Sequence, residues 1–150
     1  MKDLKYTRIT AKLIYLLKRY TDEWVSKMLN CGCHHEFNNA HLPLLMSIDE
    51  QGITNNELAE KLNISKQASS KTIKALESIN LVKSEKDNND ARAVKIYLTQ
   101  QGRELSEHIK SQVLDLEEQY KKVVGAKNYE TTIDTMLKLI EFHEQQKCSN

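Results

Sequence analysis

Apolar residues recur at steps of three and four along most of this chain, and that spacing predicts helices with one apolar face. One long stripe covers about residues 5 to 29, a second ends at Gly125, and a third follows that glycine. Their members are Ile9, Leu13, Leu16, Leu17, Tyr20, Trp24 and Met28, then Leu105, Ile109, Val113, Leu116, Tyr120 and Val123, then Ile133, Met136, Leu137, Ile140 and His143. The pattern predicts three long helices, one at the start of the chain and two at its end.

Three shorter helices are predicted between the long ones, each from a capping signal. Asn38 and Asn39 offer caps for the first, which we expect to continue to the Gln51-Gly52 pair. Thr54 and Glu57 fit a capping box, in which each side chain bonds the other residue's backbone. Ser65 is expected to cap a helix running to about residue 79. Its predicted inner face consists of Ala68, Thr72, Ile73 and Leu76.

A β-hairpin is predicted after the third short helix. Residues 81–82 and 94–98 are β-prone, and they flank a polar, turn-forming run at residues 86–91. The chain holds only 4 glycines and 1 proline, which favours helices over an extensive sheet. We therefore expect a mainly α fold of six helices with a small β-hairpin wing.

Charge is distributed unevenly along the chain. The formal net charge is only +1, yet residues 61–103 hold nine cations against four anions. A basic segment within a neutral chain is typical of a local nucleic-acid surface. No Gly-rich phosphate loop, GxSxG or HExxH motif points to an enzyme. Without a membrane-length apolar run or a signal peptide, we expect a cytoplasmic protein.

Two capped helices joined by a brief turn and followed by a hairpin form a winged helix-turn-helix, and this motif binds DNA. The second of these helices should enter the major groove, and Arg92 on the hairpin suits the minor groove. Asp90 is expected to restrain Arg92 through an ion pair. The predicted DNA-binding residues are Ser65, Lys66, Gln67, Ser70, Lys71, Lys74, Arg92 and Lys95.

Several of these runs resemble the MarR family of bacterial regulators. They are ITNNELAEKLNISKQ at residues 53–67, Leu76-Glu77, Leu81-Val82, DNNDAR at residues 87–92, Val94 and LTQQG at residues 98–102. The resemblance implies a homodimer joined by the first, fifth and sixth helices, with Arg92 in the minor groove. Asn89 departs from a frequent arginine and Asn80 from a usual glycine, although asparagine tolerates a left-handed turn.

Dimerisation is also predicted from the residues, because the long apolar stripes find too little partner surface within one short chain. We assign residues 1–36 and 104–150 to a helical dimerisation region and residues 37–103 to the winged helix-turn-helix. The predicted function is a sequence-specific, dimeric transcriptional regulator of double-stranded DNA, acting as a repressor on a pseudo-palindromic operator. A helical protein-binding adaptor is the distant alternative, although it would not need the basic segment or the wing.

The signal that such a regulator senses is left open by the sequence. Cys31, Cys33, His34 and His35 suit a zinc ion or a thiol switch, although their spacing is not that of a standard structural zinc site. Alternatively they are polar loop residues without a ligand. A small organic effector is the third possibility, and its cleft would be lined by Tyr15, Tyr20, Trp24 and His41.

Overall fold

The computed structural model describes residues 8–30, 36–90 and 92–148, and within them the chain is mainly helical. In chain order its elements are α1 (Thr10–Asn30), α2 (Leu42–Leu45), β1 (Ile53–Thr54), α3 (Asn55–Leu62), α4 (Lys66–Ser78), β2 (Val82–Lys86), β3 (Val94–Leu98), α5 (Gln100–Val124) and α6 (Ala126–Lys147). The six helices and the hairpin confirm the predicted fold class. None of the described helices is both long enough and apolar enough to cross a membrane.

Two compact units make up the chain, residues 1–106 and residues 107–150, and their boundary falls within α5. The first unit contains most of the buried apolar side chains. Leu44 and Leu45 of α2, Leu58 of α3, Leu76 of α4 and Leu81 before β2 are each at most 2% exposed. The core of this unit is therefore formed largely by the three short helices and the start of the hairpin.

The caps of α3 and α4 are confirmed. The Glu57 backbone N–H donates to the Thr54 hydroxyl at 3.2 Å, and the Thr54 backbone N–H donates to the Glu57 carboxylate at 2.8 Å. The Ala68 backbone N–H donates to the Ser65 hydroxyl at 3.1 Å. Asn63 ends α3 in the left-handed conformation, with φ at 53°. Local hydrogen bonds thus set both helix starts and the tight turn between them.

The predicted start and end of α2 are wrong. Its N-cap position is His41, whose side chain makes no capping bond, and the helix ends at Leu45 rather than at the Gln51-Gly52 pair. The two asparagines have other bonds. Asn38 accepts from the Ala40 backbone N–H at 2.9 Å, and the Asn39 amide donates to the Asp22 carbonyl at 2.9 Å. Asn39 therefore connects α1 to the segment before α2 instead of capping a helix.

The buried face of α4 differs by one position from the prediction. Ser69 is fully buried and lies on the same buried face as Ile73 and Leu76, whereas Ala68 is exposed. Ser69 lies four residues before Ile73 and seven before Leu76, so it follows the same helical face. The sequence pattern missed it because serine is polar.

A third strand, unpredicted, extends the hairpin into an antiparallel sheet of order β1-β3-β2. Ile53 of β1 pairs with Ile96 of β3, and Val82 of β2 pairs with Leu98. Before β2, Asn80 has a φ of 59°, which confirms that asparagine provides the left-handed turn. The wing is therefore attached to the start of α3 by its inner strand.

Residues 98–102 form the corner between β3 and α5. The Thr99 hydroxyl donates to the Asn80 carbonyl at 2.6 Å and accepts from the Gly102 backbone N–H at 3.0 Å. The Thr99 backbone N–H donates to the Leu81 carbonyl at 3.0 Å. A Cβ on Gly102 would overlap that same carbonyl oxygen, so glycine is required by close backbone approach.

The second unit consists of the remainder of α5 and α6. Gly125, with a φ of 85°, separates the two helices. At their junction the Lys121 ammonium lies 5.4 Å from the centre of the Tyr129 ring. No side chain of α6 is buried. The most exposed large apolar residues of this unit are Leu114, Val123, Leu137, Ile140 and Phe142.

Candidate nucleic-acid interface

The outer face of α4 presents a row of polar and cationic side chains. Lys66, Gln67, Lys71 and Lys74 are exposed, as is the capping Ser65. None of the described ion pairs involves these three lysines. The opposite face packs into the core through Ile73 and Leu76. The helix can therefore present positive charge and hydrogen-bonding groups to a polyanion without losing its packing.

Ser70 differs from the other predicted contact residues because it is half-buried and already hydrogen-bonded. The Asn55 amide, from the first turn of α3, donates to the Ser70 hydroxyl oxygen at 2.9 Å. The same amide nitrogen lies 3.3 Å from the Lys66 carbonyl oxygen. Sequence reasoning missed Asn55, since its two partners are 11 and 15 residues away.

The tip of the hairpin is folded by two aspartates. Asp87 accepts from the Asn89 backbone N–H at 3.0 Å, and Asp90 accepts from the Arg92 backbone N–H at 2.9 Å. The expected Asp90–Arg92 ion pair is absent from the described pairs, which include none for Arg92. Asp90 thus restrains the backbone of the tip, and the Arg92 side chain stays exposed.

Lys95 is the predicted contact residue with the most constrained charge. Its ammonium lies 3.8 Å from the Asp87 carboxylate, and the two side chains are 30% and 20% exposed. To contact a phosphate, the Lys95 ammonium would have to leave Asp87 or bind the carboxylate and the phosphate at the same time. At the other side of the sheet, the Ser84 hydroxyl bonds the Glu77 carboxylate and so connects β2 to the end of α4.

One of the residues predicted to bind an organic effector lines a cleft. An open cleft of about 600 Å³ runs along α1, and Tyr15 lines it, but Tyr20, Trp24 and His41 do not. Its other lining residues are Lys18, Arg19, Asp22, Glu23, Ser26, Lys27 and Asn30. Lys18 pairs with Asp22 at 2.6 Å and Arg19 with Glu23 at 3.8 Å, so much of the cleft's charge is internally neutralised.

Two features of the His41 environment disfavour protonation of its imidazole. Its Nδ1 accepts from the Asn38 backbone N–H at 3.2 Å, and partial burial lowers its pKa. The Phe37 ring lies 5.7 Å from the imidazole, centre to centre. These contacts give His41 a role in the turn before α2, whether or not it also meets a ligand.

The predicted metal or thiol residues Cys31, Cys33, His34 and His35 lie outside the described residues. Within the described ranges no three His, Cys, Asp or Glu side chains are grouped to hold a metal ion. Cys148 is exposed at the end of α6.

Residues 37–94 match the sequence profile of the MarR family. Two curated relatives are Transcriptional regulator AdcR proteins of streptococci. The chain is 35% identical to that of Streptococcus pneumoniae over 78 residues, which are 52% of this chain and 53% of the relative. It is 35% identical to that of Streptococcus pyogenes over 79 residues, which are 52% of this chain and 54% of the relative. The chain therefore spans about half the length of the curated relatives it matches.

Solved structures are similar over much more of the chain. Streptococcus pneumoniae FabT in complex with DNA has a TM-score of 0.82 at 15% identity, covering 94% of this chain and 99% of that one. The S. aureus MepR–DNA complex has a TM-score of 0.72 at 20% identity, covering 89% of this chain and 96% of that one. The reduced form of E. coli MarR has a TM-score of 0.69 at 25% identity, covering 88% of this chain and 96% of that one. Residues 37–94, which hold α3, α4 and β2, therefore match the MarR family in sequence, and the chain is similar to E. coli MarR over nearly the whole fold.

Proposed function

We propose that this protein is a dimeric, sequence-specific DNA-binding transcriptional regulator, acting as a repressor in the cytoplasm and not as an enzyme. A small effector modulates its binding. The observation that carries the proposal is the exposed cationic face of α4 together with a wing whose Arg92 side chain is exposed. The match of residues 37–94 to the MarR family supports it, as does the similar fold of FabT and MepR, which are solved in complex with DNA.

The contacts divide by chemistry. Gln67 and Ser70 are placed near the start of α4 and have the hydrogen-bonding groups that read base edges. Lys66, Lys71 and Lys74 suit phosphate oxygens, which position the protein without reading sequence. The capping Ser65 and the first-turn amides of α4 suit a further phosphate. Arg92, on the folded tip of the wing, suits a narrow minor groove.

A two-fold dimer gives these contacts their spacing. Two copies of α4 about 34 Å apart would enter successive major grooves on one side of the duplex. The operator is then a pseudo-palindrome, because the two-fold symmetry of the protein is matched by that of the DNA. The exposed apolar residues of α1 and α6 supply surface for such a dimer.

The test uses duplexes selected by the purified protein from a randomised library, with binding followed by fluorescence anisotropy at two salt concentrations. We expect affinity to fall steeply with salt, because bound cations release counterions from the phosphates. Arg92→Ala should weaken binding to the selected duplex about 5-fold or more, since a specific arginine contact contributes roughly 1–3 kcal/mol.

Lys127→Ala is the matched control, because it removes one exposed positive charge from α6, outside the winged segment. The affinity of the Lys127→Ala protein for the selected duplex should stay within about twofold of wild type. Salt-independent binding, or no selected duplex at all, would contradict the proposed function. Equal losses for the two variants would contradict the role of the wing.

A further inference from the structure

The Asn55 side chain connects the first turns of α3 and α4. Its amide nitrogen donates to the Ser70 hydroxyl oxygen at 2.9 Å and lies 3.3 Å from the Lys66 carbonyl oxygen. Lys66 is the residue four positions before Ser70, so this carbonyl is the one that a helical serine hydroxyl ordinarily bonds. Asn55 thus engages both the serine and its usual backbone acceptor.

The orientation of the Asn55 amide follows from that carbonyl. A carbonyl oxygen is only an acceptor, so it must face the NH2 group of Asn55 and not the amide oxygen. The Asn55 NH2 group is therefore the donor towards Ser70 as well, and the Ser70 oxygen is the acceptor. The hydroxyl hydrogen of Ser70 remains available, since the hydrogen bond described for this hydroxyl has its oxygen as acceptor and the Lys66 carbonyl is engaged by Asn55.

We propose that Asn55 is a positioning residue that makes Ser70 a hydrogen-bond donor to DNA. The inference rests on the proposed function. With Asn55 present, the Ser70 hydrogen is directed to an outside acceptor, which is a purine N7, guanine O6, thymine O4 or a phosphate oxygen. Without Asn55, the hydroxyl donates to the Lys66 carbonyl and the DNA contact is lost.

The hydrogen bonds that Asn55 donates to α4 leave one of its own polar atoms unpaired. Its amide oxygen is buried and has no hydrogen-bond partner among the described residues. Leaving a buried acceptor unpaired costs free energy. A polar residue kept at that cost is better explained by what its NH2 group does to Ser70 than by folding.

The experiment measures which single acceptors on the DNA each variant requires. The probe is the duplex that the wild-type protein selects from a randomised library. One base-edge acceptor at a time is removed with 7-deazapurines for N7 and with analogues lacking O6 or O4. In a second series, one phosphate at a time is replaced by a neutral methylphosphonate, so the two series separate base from backbone contacts.

We expect wild type to lose about 3- to 10-fold in affinity at one symmetry-related acceptor in each half-site, the size of a single hydrogen bond. Ser70→Ala and Asn55→Ala should each lower affinity for the unmodified duplex by a similar factor and abolish sensitivity at that acceptor. The double variant should be no weaker than Ser70→Ala alone, because both changes remove the same bond.

Asn56→Ala is the matched control, because Asn56 is the adjacent exposed asparagine of α3. Ser78→Ala is a second one, since Ser78 lies on α4 and its hydroxyl already donates to the Ala75 carbonyl at 2.6 Å. Both should keep the wild-type acceptor map. Thermal unfolding of every variant separates a folding defect from a lost contact. The acceptor map gives, for each variant, the affinity for each modified duplex divided by its affinity for the unmodified duplex, so a uniform loss of affinity does not alter it.

An Asn55→Ala protein that keeps the Ser70-dependent acceptor would overturn the inference, as would a Ser70→Ala protein with the full wild-type map. In both cases salt-dependent DNA binding would persist, so the proposed function would stand. Failure to select any duplex would instead overturn the proposed function, and the inference with it.

Discussion

At the scale of single residues, one carboxylate oxygen of Glu57 receives two hydrogen bonds from Thr54, one from its backbone N–H at 2.8 Å and one from its hydroxyl at 2.9 Å. These bonds favour the ionised carboxylate and lower the pKa of Glu57, the backbone bond first, with a smaller contribution from the positive charge of Lys95. The start of α3, from which Asn55 reaches Ser70, therefore depends on the ionisation of Glu57.

The stabilising effect of this carboxylate should be lost in acid. Because the folded-state pKa lies below the ordinary value of 4.5, folding favours the ionised form. The contribution is fully present above that value and disappears as the pH falls through the lowered pKa. We expect the difference in free energy of unfolding between wild type and Glu57→Gln to shrink from neutral pH into this range, as measured by urea unfolding.

Glu60→Gln is the control, since Glu60 is an exposed glutamate of the same helix whose carboxylate has no hydrogen bond or ion pair among the described residues. Its difference from wild type should not change in the same pH range. Parallel pH profiles for wild type and Glu57→Gln would show that the capping carboxylate does not affect stability through its ionisation.

At the scale of elements, the wing and α5 are joined by a corner in which backbone groups nearly touch. The Leu81 carbonyl accepts from Thr99 at 3.0 Å and faces the bare Cα of Gly102. A side chain at position 102 would meet the Leu81 carbonyl oxygen, which is a backbone atom held by its hydrogen bond to Thr99 and cannot move aside as the end of a flexible side chain can. Position 102 therefore tolerates only glycine without displacing β2 or α5.

Gly102→Ala should lower the free energy of unfolding by about 1–3 kcal/mol, the usual effect of inserting a methyl group into a packed site. Urea unfolding measures the loss. Arg103→Ala, at the exposed next position of α5, is the control and should change stability by less than about 0.5 kcal/mol. If Gly102→Ala were as stable as wild type, the corner would be more adaptable than its hydrogen bonds indicate.

At the scale of the whole molecule, large apolar side chains remain exposed on the long helices of each unit. On α1, Ile14, Tyr15 and Leu17 are at least 52% exposed, and on α6, Leu137, Ile140 and Phe142 are at least 54% exposed. Contiguous exposed apolar residues of this kind mark an interaction surface. A second copy of the chain is the partner that the proposed two-fold dimer requires.

Ile140→Glu should therefore convert the dimer into a species near the chain mass of 17.4 kDa, because a charge at a buried contact is costly. Sedimentation velocity separates this species from one of twice that mass. Lys138→Glu is the control, since its position lies about 160° around the helix from Ile140 and its side chain is exposed. A wild-type monomer, or a dimer unaffected by Ile140→Glu, would contradict the use of α6 in dimerisation.

Local interactions could be predicted from the sequence. The caps at Thr54 and Ser65 bond backbone groups three residues ahead, and Asn80 adopts the left-handed turn expected of it. Helical periodicity also identified the long helices and the mainly α fold. These features depend on residues within about one helical turn of each other, so their chemistry is readable along the chain.

Contacts between distant segments were decided only by the tertiary structure. Strand β1 consists of Ile53 and Thr54, too short for any periodic signal, and it forms because β3 lies beside it. The bond from Asn55 to Ser70, the pair of Lys95 with Asp87 and the approach of Gly102 to Leu81 likewise need chain segments brought together by the core. The cationic face and the arginine wing are properties of the sequence, but which of their groups are free to meet DNA depends on packing, because a hydrogen bond or ion pair made inside the fold changes what a side chain can offer outside it.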